Sequence, residues 1–298
     1  MTGAARHIGN PPLQHPGPKP EPRLRCAPTP TRGFDITLKA GDLLEPVVLD
    51  AFAKAGLDSG YVGIPALACE RMDYVIPARS QTPERLAWYS SPCAPEGPAH
   101  IAQGFMSVGQ YKGAGFTHCH GIWTLADGTI STGHLLSQKT VVAQACTLRA
   151  TGFTQARFER LPDAETGFEI FAALGAEGPA QTAPVPVTSP QALILTLRPN
   201  TDLTQACAQI CAAHQIRDAQ IVGLGSLNGA VFRDTSRMRD YVSEFVIREG
   251  TVNNGEVTLD LAVIDSHANL FLGPVQAGGG CVSVTAELVI IPSREGRL

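Results

Sequence analysis

No two cysteines in this 298-residue chain have the CxxC spacing of a metal knot or a redox dithiol, although there are eight of them. The closest pair, Cys207 and Cys211, is spaced i, i+4 on the apolar stripe of an expected helix, where packing accounts for both. No apolar leader precedes them, and scattered thiols of this kind fit the reduced state of a cytoplasmic protein. No apolar run approaches the ~18 residues of a membrane-spanning helix. Aromatic residues make up only 6% of the chain. Trp88-Tyr89 and Trp123 lack the surrounding basic cluster of a base-stacking platform, so packing or an interface explains them better. Gly278-Gly279-Gly280 is followed by no Lys-Ser/Thr pair and no helix start, which excludes a phosphate loop.

What is present is globular: 44% hydrophobic, 17% charged, with a formal net charge of -4. That charge is unevenly divided. Arg6, Lys19, Arg23, Arg25 and Arg32 against Glu21 leave the first 33 residues positive, so the body is more acidic than the total suggests. Non-specific nucleic-acid binding depends on clustered Lys and Arg, so an acidic body disfavours it. Residues 1–33 also hold eight prolines and almost no large apolar side chain. This composition predicts a disordered tail. A second Pro/Gly-punctuated stretch, 175–190, reads as an interdomain linker.

The two segments between and after these stretches resemble one another. Phe34-Asp-Ile-Thr-Leu-Lys-Ala-Gly-Asp-Leu-Leu and Leu193-Ile-Leu-Thr-Leu-Arg-Pro-Asn-Thr-Asp-Leu each run a short strand into an amphipathic helix. Asp42 with Glu45, and Asp202 with Gln205, have capping-box spacing, although Pro46 blurs the first start. Apolar residues follow at helical intervals: Leu44, Val47, Val48, Ala51 and Leu203, Ala206, Cys207, Ile210. Each helix leads into a glycine-bounded strand and then several strands joined by tight turns. The expected fold class is α+β, two tandem domains over 34–174 and 191–298, each a mostly antiparallel sheet with one main flanking helix.

Chemistry concentrates in Thr117-His118-Cys119-His120-Gly121 and Gly133-His134-Leu135. Alternation on a strand puts His118 and His120 on one face and Cys119 on the other. A two-residue Asp127-Gly128 turn would set His134 opposite Gly121, on the wrong face. A three-residue loop, Ala126-Asp127-Gly128 with Gly128 left-handed, pairs Leu125 with Thr129 and sets His134 across from His120. Three neutral imidazoles with an open position form the ligand set of a catalytic zinc site. The plainer alternative is a polar sheet face whose histidines bond to neighbours. Overlaying the two segments puts Thr117-His118-Cys119-His120 on Thr258-Leu259-Asp260-Leu261, and the His134 region on Leu272–Val275, so the second copy has no candidate ligand. His267 reads as an exposed loop residue.

The strand-helix opening, Gly223-Leu-Gly-Ser-Leu-Asn-Gly-Ala and Ser131-Thr-Gly-His-Leu-Leu-Ser together resemble the plant-and-prokaryote-conserved (PPC) domain over about 34–151 and 193–292. The second segment carries the better glycine-serine motif and the first the better histidine hairpin. The resemblance implies an antiparallel sheet flanked by a helix, assembly as a trimer, and an inherited DNA-binding role. Plant members bind DNA through Arg-Gly-Arg-Pro hooks, which Thr31-Arg-Gly-Phe does not match. A more distant resemblance is to α-acetolactate decarboxylase, a zinc enzyme that holds its metal with a His-x-His pair and a third His; His118, His120 and His134 match that order.

Three functions are therefore carried forward. The first is a metal-dependent enzyme or binding protein, lyase- or decarboxylase-like, with Zn2+ or another divalent metal on the three histidines and a small oxygenated acid as ligand. Arg71, Arg79 and Arg85 are candidates to hold a carboxylate, and Glu70 to serve as acid or base; Glu70 and Arg71 are named as the catalytic pair, although for each of the four a solvated surface side chain is the stronger reading. His100 could reach the triad. The second is a nucleic-acid-associated regulatory protein. The third is a non-catalytic assembly module, in which the second segment walls the site of the first. The divergent stretches Pro77–Pro98 and Arg233–Asp240 are where ligand choice is expected to lie.

Overall fold

A computed structural model describes residues 8–175 and 191–293. Of the expected linker, 175–190, all but Gly175 lies outside the described residues. The first half runs β1 (Leu24–Leu38), α1 (Leu44–Lys54), β2 (Gly60–Ile64), β3 (Leu67–Arg71), β4 (Tyr74–Val75), β5 (Pro77–Arg79), β6 (Ala87–Tyr89), β7 (Ala99–Tyr111), β8 (Ala114–Thr124), β9 (Ile130–Leu135), β10 (Val141–Val142), β11 (Cys146–Phe153), β12 (Ala156–Asp163) and β13 (Phe168–Gly175). The second runs β14 (Gln191–Leu197), α2 (Leu203–Ala213), β15 (Ala219–Leu227), β16 (Ala230–Val231), β17 (Arg237–Met238), β18 (Ser243–Asn253), β19 (Glu256–Asp265), β20 (Leu270–Pro274) and β21 (Val282–Pro292). Nearly all pairing is antiparallel, and α1 and α2 are the two α-helices among the described residues.

The main pairings follow the same order in both halves: β1-β11-β2-β7-β8-β9 in one, β14-β21-β15-β18-β19-β20 in the other. Strand alternation sorts side chains into three large cores, beside a small cluster of Ala87, Ile170, Val242 and Val284. Met106 and Cys119 join Leu44, Val48 and Phe52 of α1, and Phe245 and Ile247 join Leu203, Ala206 and Cys207 of α2. The opposite faces, through Phe105, Phe153, Phe158, Leu224, Val246 and Val289, make a shared core between the sheets. The layers run helix, sheet, sheet, helix, and neither sheet buries its inner face without the other.

The helix starts differ from expectation in one case. Asp202 caps α2, accepting from the Gln205 amide at 2.9 Å. Asp42 does not cap α1: Leu43 is its N-cap, and the Asp42 carboxylate accepts the Lys39 amide at 2.7 Å instead. Pro46 has no N–H to offer, so the first turn presents fewer donors to cap.

The expectation of a disordered stretch over 1–33 is corrected for residues 8–33. Residues 24–30 pair with β14 and 31–38 with β11, so β1 joins the two sheets. Cys26 and Ala27 are buried. Upstream, Leu13 exchanges two bonds with the Asn200 side chain (2.7 and 3.0 Å), and Arg23 grips Glu165 through both guanidinium nitrogens (2.7 and 2.9 Å). Proline-rich chain lacks donors but keeps its carbonyls, and Asn228 donates to that of Pro11 at 2.8 Å. Composition weighed against structure here, and tertiary pairing overrode it.

Candidate metal centre

Both β7–β8 and β18–β19 close through two-residue turns with both central residues left-handed, Lys112-Gly113 and Asn254-Gly255. β8 then runs into the loop that decides the site. Leu125 accepts from Gly128 and donates to Thr129, each at 2.9 Å, and Gly128 has φ +85. This is the three-residue loop, and it pairs His120 with His134 and Gly121 with Gly133. Cys119 faces the α1 core, as alternation requires.

Counting from the two matching turns also corrects the overlay of the halves. Leu259 and Leu261 face the α2 core, whereas Asp260 and Ala262 stand where His118 and His120 stand, and Leu272 pairs with Ala262 where His134 pairs with His120. The sequence overlay was one residue out, which exchanges the faces of a strand. Its conclusion survives, because no histidine occupies these positions; Asp260 is instead paired with Arg248 at 2.6 Å.

The ligand-capable atoms of His118, His120 and His134 all lie within 4.8 Å of one another. Nε2 of His118 is 3.1 Å from Nε2 of His120. The far nitrogens are anchored: His120 Nδ1 to the Phe245 carbonyl at 2.9 Å, His118 Nδ1 to Glu287 Oε1 at 2.7 Å. A carbonyl only accepts, so neutral His120 carries its proton on Nδ1 and presents a lone pair at Nε2. With an ionised Glu287, His118 does the same. Two lone pairs at that distance repel unless a cation lies between them. Imidazole nitrogens about 2.0–2.1 Å from a tetrahedral zinc stand about 3.3 Å apart, close to the spacing here. Burial, reinforced by the neighbouring His118, drives the basicity of His120 and His134 well below the ordinary imidazole value. Both are therefore neutral, as ligands must be.

The second half brings two buried carboxylates to the site. Glu287 is 1% exposed, and Glu244 lies with Oε1 3.7 Å from His120 Nε2. Burial pushes the Glu244 carboxyl up to about 8, partly offset by the His134 amide. Oε2 of Glu244, Oε2 of Glu287 and Nδ1 of His134 are buried without a hydrogen-bond partner. Beside the imidazoles is a cavity of about 90 Å³, walled by Pro77 and Ala87–Tyr89, by Phe116, by Arg160 and Phe168–Phe171 of the β12–β13 hairpin, and by Gly225, Ser226, Ser243, Glu244, Val284, Thr285 and Glu287. Arg160 lies over the rings of Phe116 (4.5 Å) and Tyr111 (4.8 Å) and 3.5 Å from Glu169. Tyr89 packs its ring on His134, centroids 5.2 Å apart.

Other expected site residues lie elsewhere. Glu70 and Arg71 are at the exposed end of β3, Arg71 bound to Asp73 at 3.1 Å, and neither lines the cavity. Arg79 pairs with Asp240 at 3.0 Å and covers Tyr241. Arg85 stacks on Trp88 at 3.9 Å, beside the cavity mouth. His100 is exposed and opposite Thr124, and Trp123 is core. Glu244, Glu287, Arg160 and Tyr89 were missed. The two glutamates did leave a signal, each being the one charged residue in a largely apolar stretch, Val242-Ser-Glu-Phe-Val-Ile and Val282-Ser-Val-Thr-Ala-Glu-Leu-Val-Ile-Ile.

No protein-family model and no curated protein matches the chain. Among solved structures it is similar to a metal-containing protein from Archaeoglobus fulgidus (21% identity, 47% of this chain and 93% of that one, TM-score 0.38). It is also similar to a PPC protein from Pyrococcus horikoshii (15%, 47% and 91%, TM-score 0.38) and a candidate DNA-binding protein from Ralstonia eutropha (15%, 46% and 89%, TM-score 0.38). Superpositions this loose fix neither family nor function.

Proposed function

We propose that this chain is a metal-dependent protein that takes a small oxygenated acid into the cavity beside His118, His120 and His134, with zinc as the cation and lyase- or decarboxylase-like chemistry as the activity. The observation that carries the reading is the facing pair of Nε2 atoms, 3.1 Å apart, with both far nitrogens already anchored. A divalent cation there polarises an oxygen ligand and offsets negative charge developing on it. The protein's own part is to hold the imidazoles neutral and oriented, with Glu287 and the Phe245 carbonyl behind them, and to limit water access with the aromatic wall. Glu70 and Arg71 drop out of the proposed machinery. The matched strand order supports reading the chain as two fused PPC-like units, of which one carries the site and the other encloses it.

Purified chain analysed by atomic absorption is expected to hold about one metal ion, and His120→Ala to hold none. Metal content unchanged by that substitution overturns the proposal. The DNA-binding reading gains no observation: Arg149, Arg157 and Arg248 are each matched by a carboxylate within 3 Å rather than forming a free basic face. No helix among the described residues is long and apolar enough to cross a membrane.

A further inference from the structure

The cavity wall is more specific than a general acid site requires. Trp88, Tyr89 and Phe168 crowd one side, with Trp88 and Phe168 centroids 5.3 Å apart and Trp88 45% exposed despite its size. Such a surface favours a broad, flat apolar body, whose burial between rings adds stacking to area. Arg160 supplies a positive charge on the same wall, and its 3.5 Å separation from Glu169 is an ion pair without a good hydrogen bond, which leaves guanidinium donors free for a carboxylate. Oε2 of Glu287, on a side chain 1% exposed that also lines the cavity, is an acceptor without a partner. A buried acceptor left unpaired is costly, and what it lacks is a hydrogen donor.

We infer that the ligand is a 2-hydroxy acid with an aromatic side chain: its carboxylate meets Arg160, its hydroxyl hydrogen goes to Glu287, its oxygens face the histidine-bound cation and its ring rests on Trp88 and Phe168. This rests on the metal reading above, so the test separates the two. The full chain is loaded with Co2+, whose uptake per chain is measured first. Its visible absorption is then titrated with 3-phenyllactate, phenylpyruvate and lactate. The expected result is one cobalt per chain, a spectral change with phenyllactate at a Kd at least tenfold below that of lactate, and weaker binding of phenylpyruvate, which has a carbonyl in place of the donor. Trp88→Ala is expected to remove the advantage over lactate, and Arg160→Gln to weaken all three acids, both with cobalt uptake intact. Equal affinity for lactate and phenyllactate overturns the aromatic class, and equal or tighter phenylpyruvate binding overturns the hydroxyl assignment. One cobalt whose spectrum ignores every acid overturns this inference alone; no cobalt in the wild-type chain overturns it together with the metal reading.

Discussion

A carboxylate that holds the far nitrogen of a metal-binding imidazole fixes both ring orientation and tautomer, and Glu287 is placed to do this for His118 from 169 residues away. Replacing it with Gln keeps the volume and removes the charge. Glu287→Gln is expected to weaken metal binding by about 10–100-fold in competition with a chromophoric chelator; unchanged affinity would mean that Glu287 has no hold on the site. Asp73 belongs to a different balance. The bond from Arg71, with help from Lys139, holds its carboxyl below the ordinary carboxylate value. A depressed folded-state value contributes stability above the unfolded value, and that contribution is lost as pH falls through the folded one. Asp73→Asn should therefore lower the neutral plateau of a stability-versus-pH curve and flatten its acid limb below about pH 4, so that the two curves converge at low pH. Equal slopes in the two proteins would rule out the Arg71–Asp73 pair as an acid-sensitive element.

At the scale of elements, the histidine hairpin was legible because everything that sets it is local. Alternation placed His118 with His120, and a glycine at the third loop position chose the register that brought His134 across. Gly128 has open space around it, so the cost of a side chain there is conformational alone. Gly128→Ala is expected to destabilise the protein by about 1 kcal/mol. Gly63, also with open space but with ordinary backbone, is the control and should tolerate Ala without loss. Matching results at the two positions would refute the left-handed loop. Capping was half legible. Asp202 accepts from Gln205, Thr204 and Gly280, whereas Asp42 serves only the turn before α1. Asp202→Ala should then cost about 1–2 kcal/mol in denaturant unfolding and Asp42→Ala distinctly less. What the sequence could not display was any contact that crosses the halves, since Glu244 and Glu287 reach the cavity only through the packing of one sheet on the other.

Across the whole molecule, two ties hold that packing: the core around Phe105, Phe158, Leu224 and Val246, and β1, whose first part pairs with the second half and whose last part pairs with the first. Neither depends on the covalent connection through residues 176–190. A protease site inserted there and cut in the folded protein should leave two fragments that co-elute as one species and retain the metal, because Glu287 remains behind His118. The two fragments prepared separately present Phe105 and Phe158, or Leu224 and Val246, to water, and large exposed apolar faces of this kind drive association. Each should aggregate or bind no metal alone, and mixing them during refolding should restore both solubility and metal. Separation of the nicked protein into two soluble monomers would show that the sheets do not depend on one another, and the carboxylates of the second half would then have no claim on the histidines of the first.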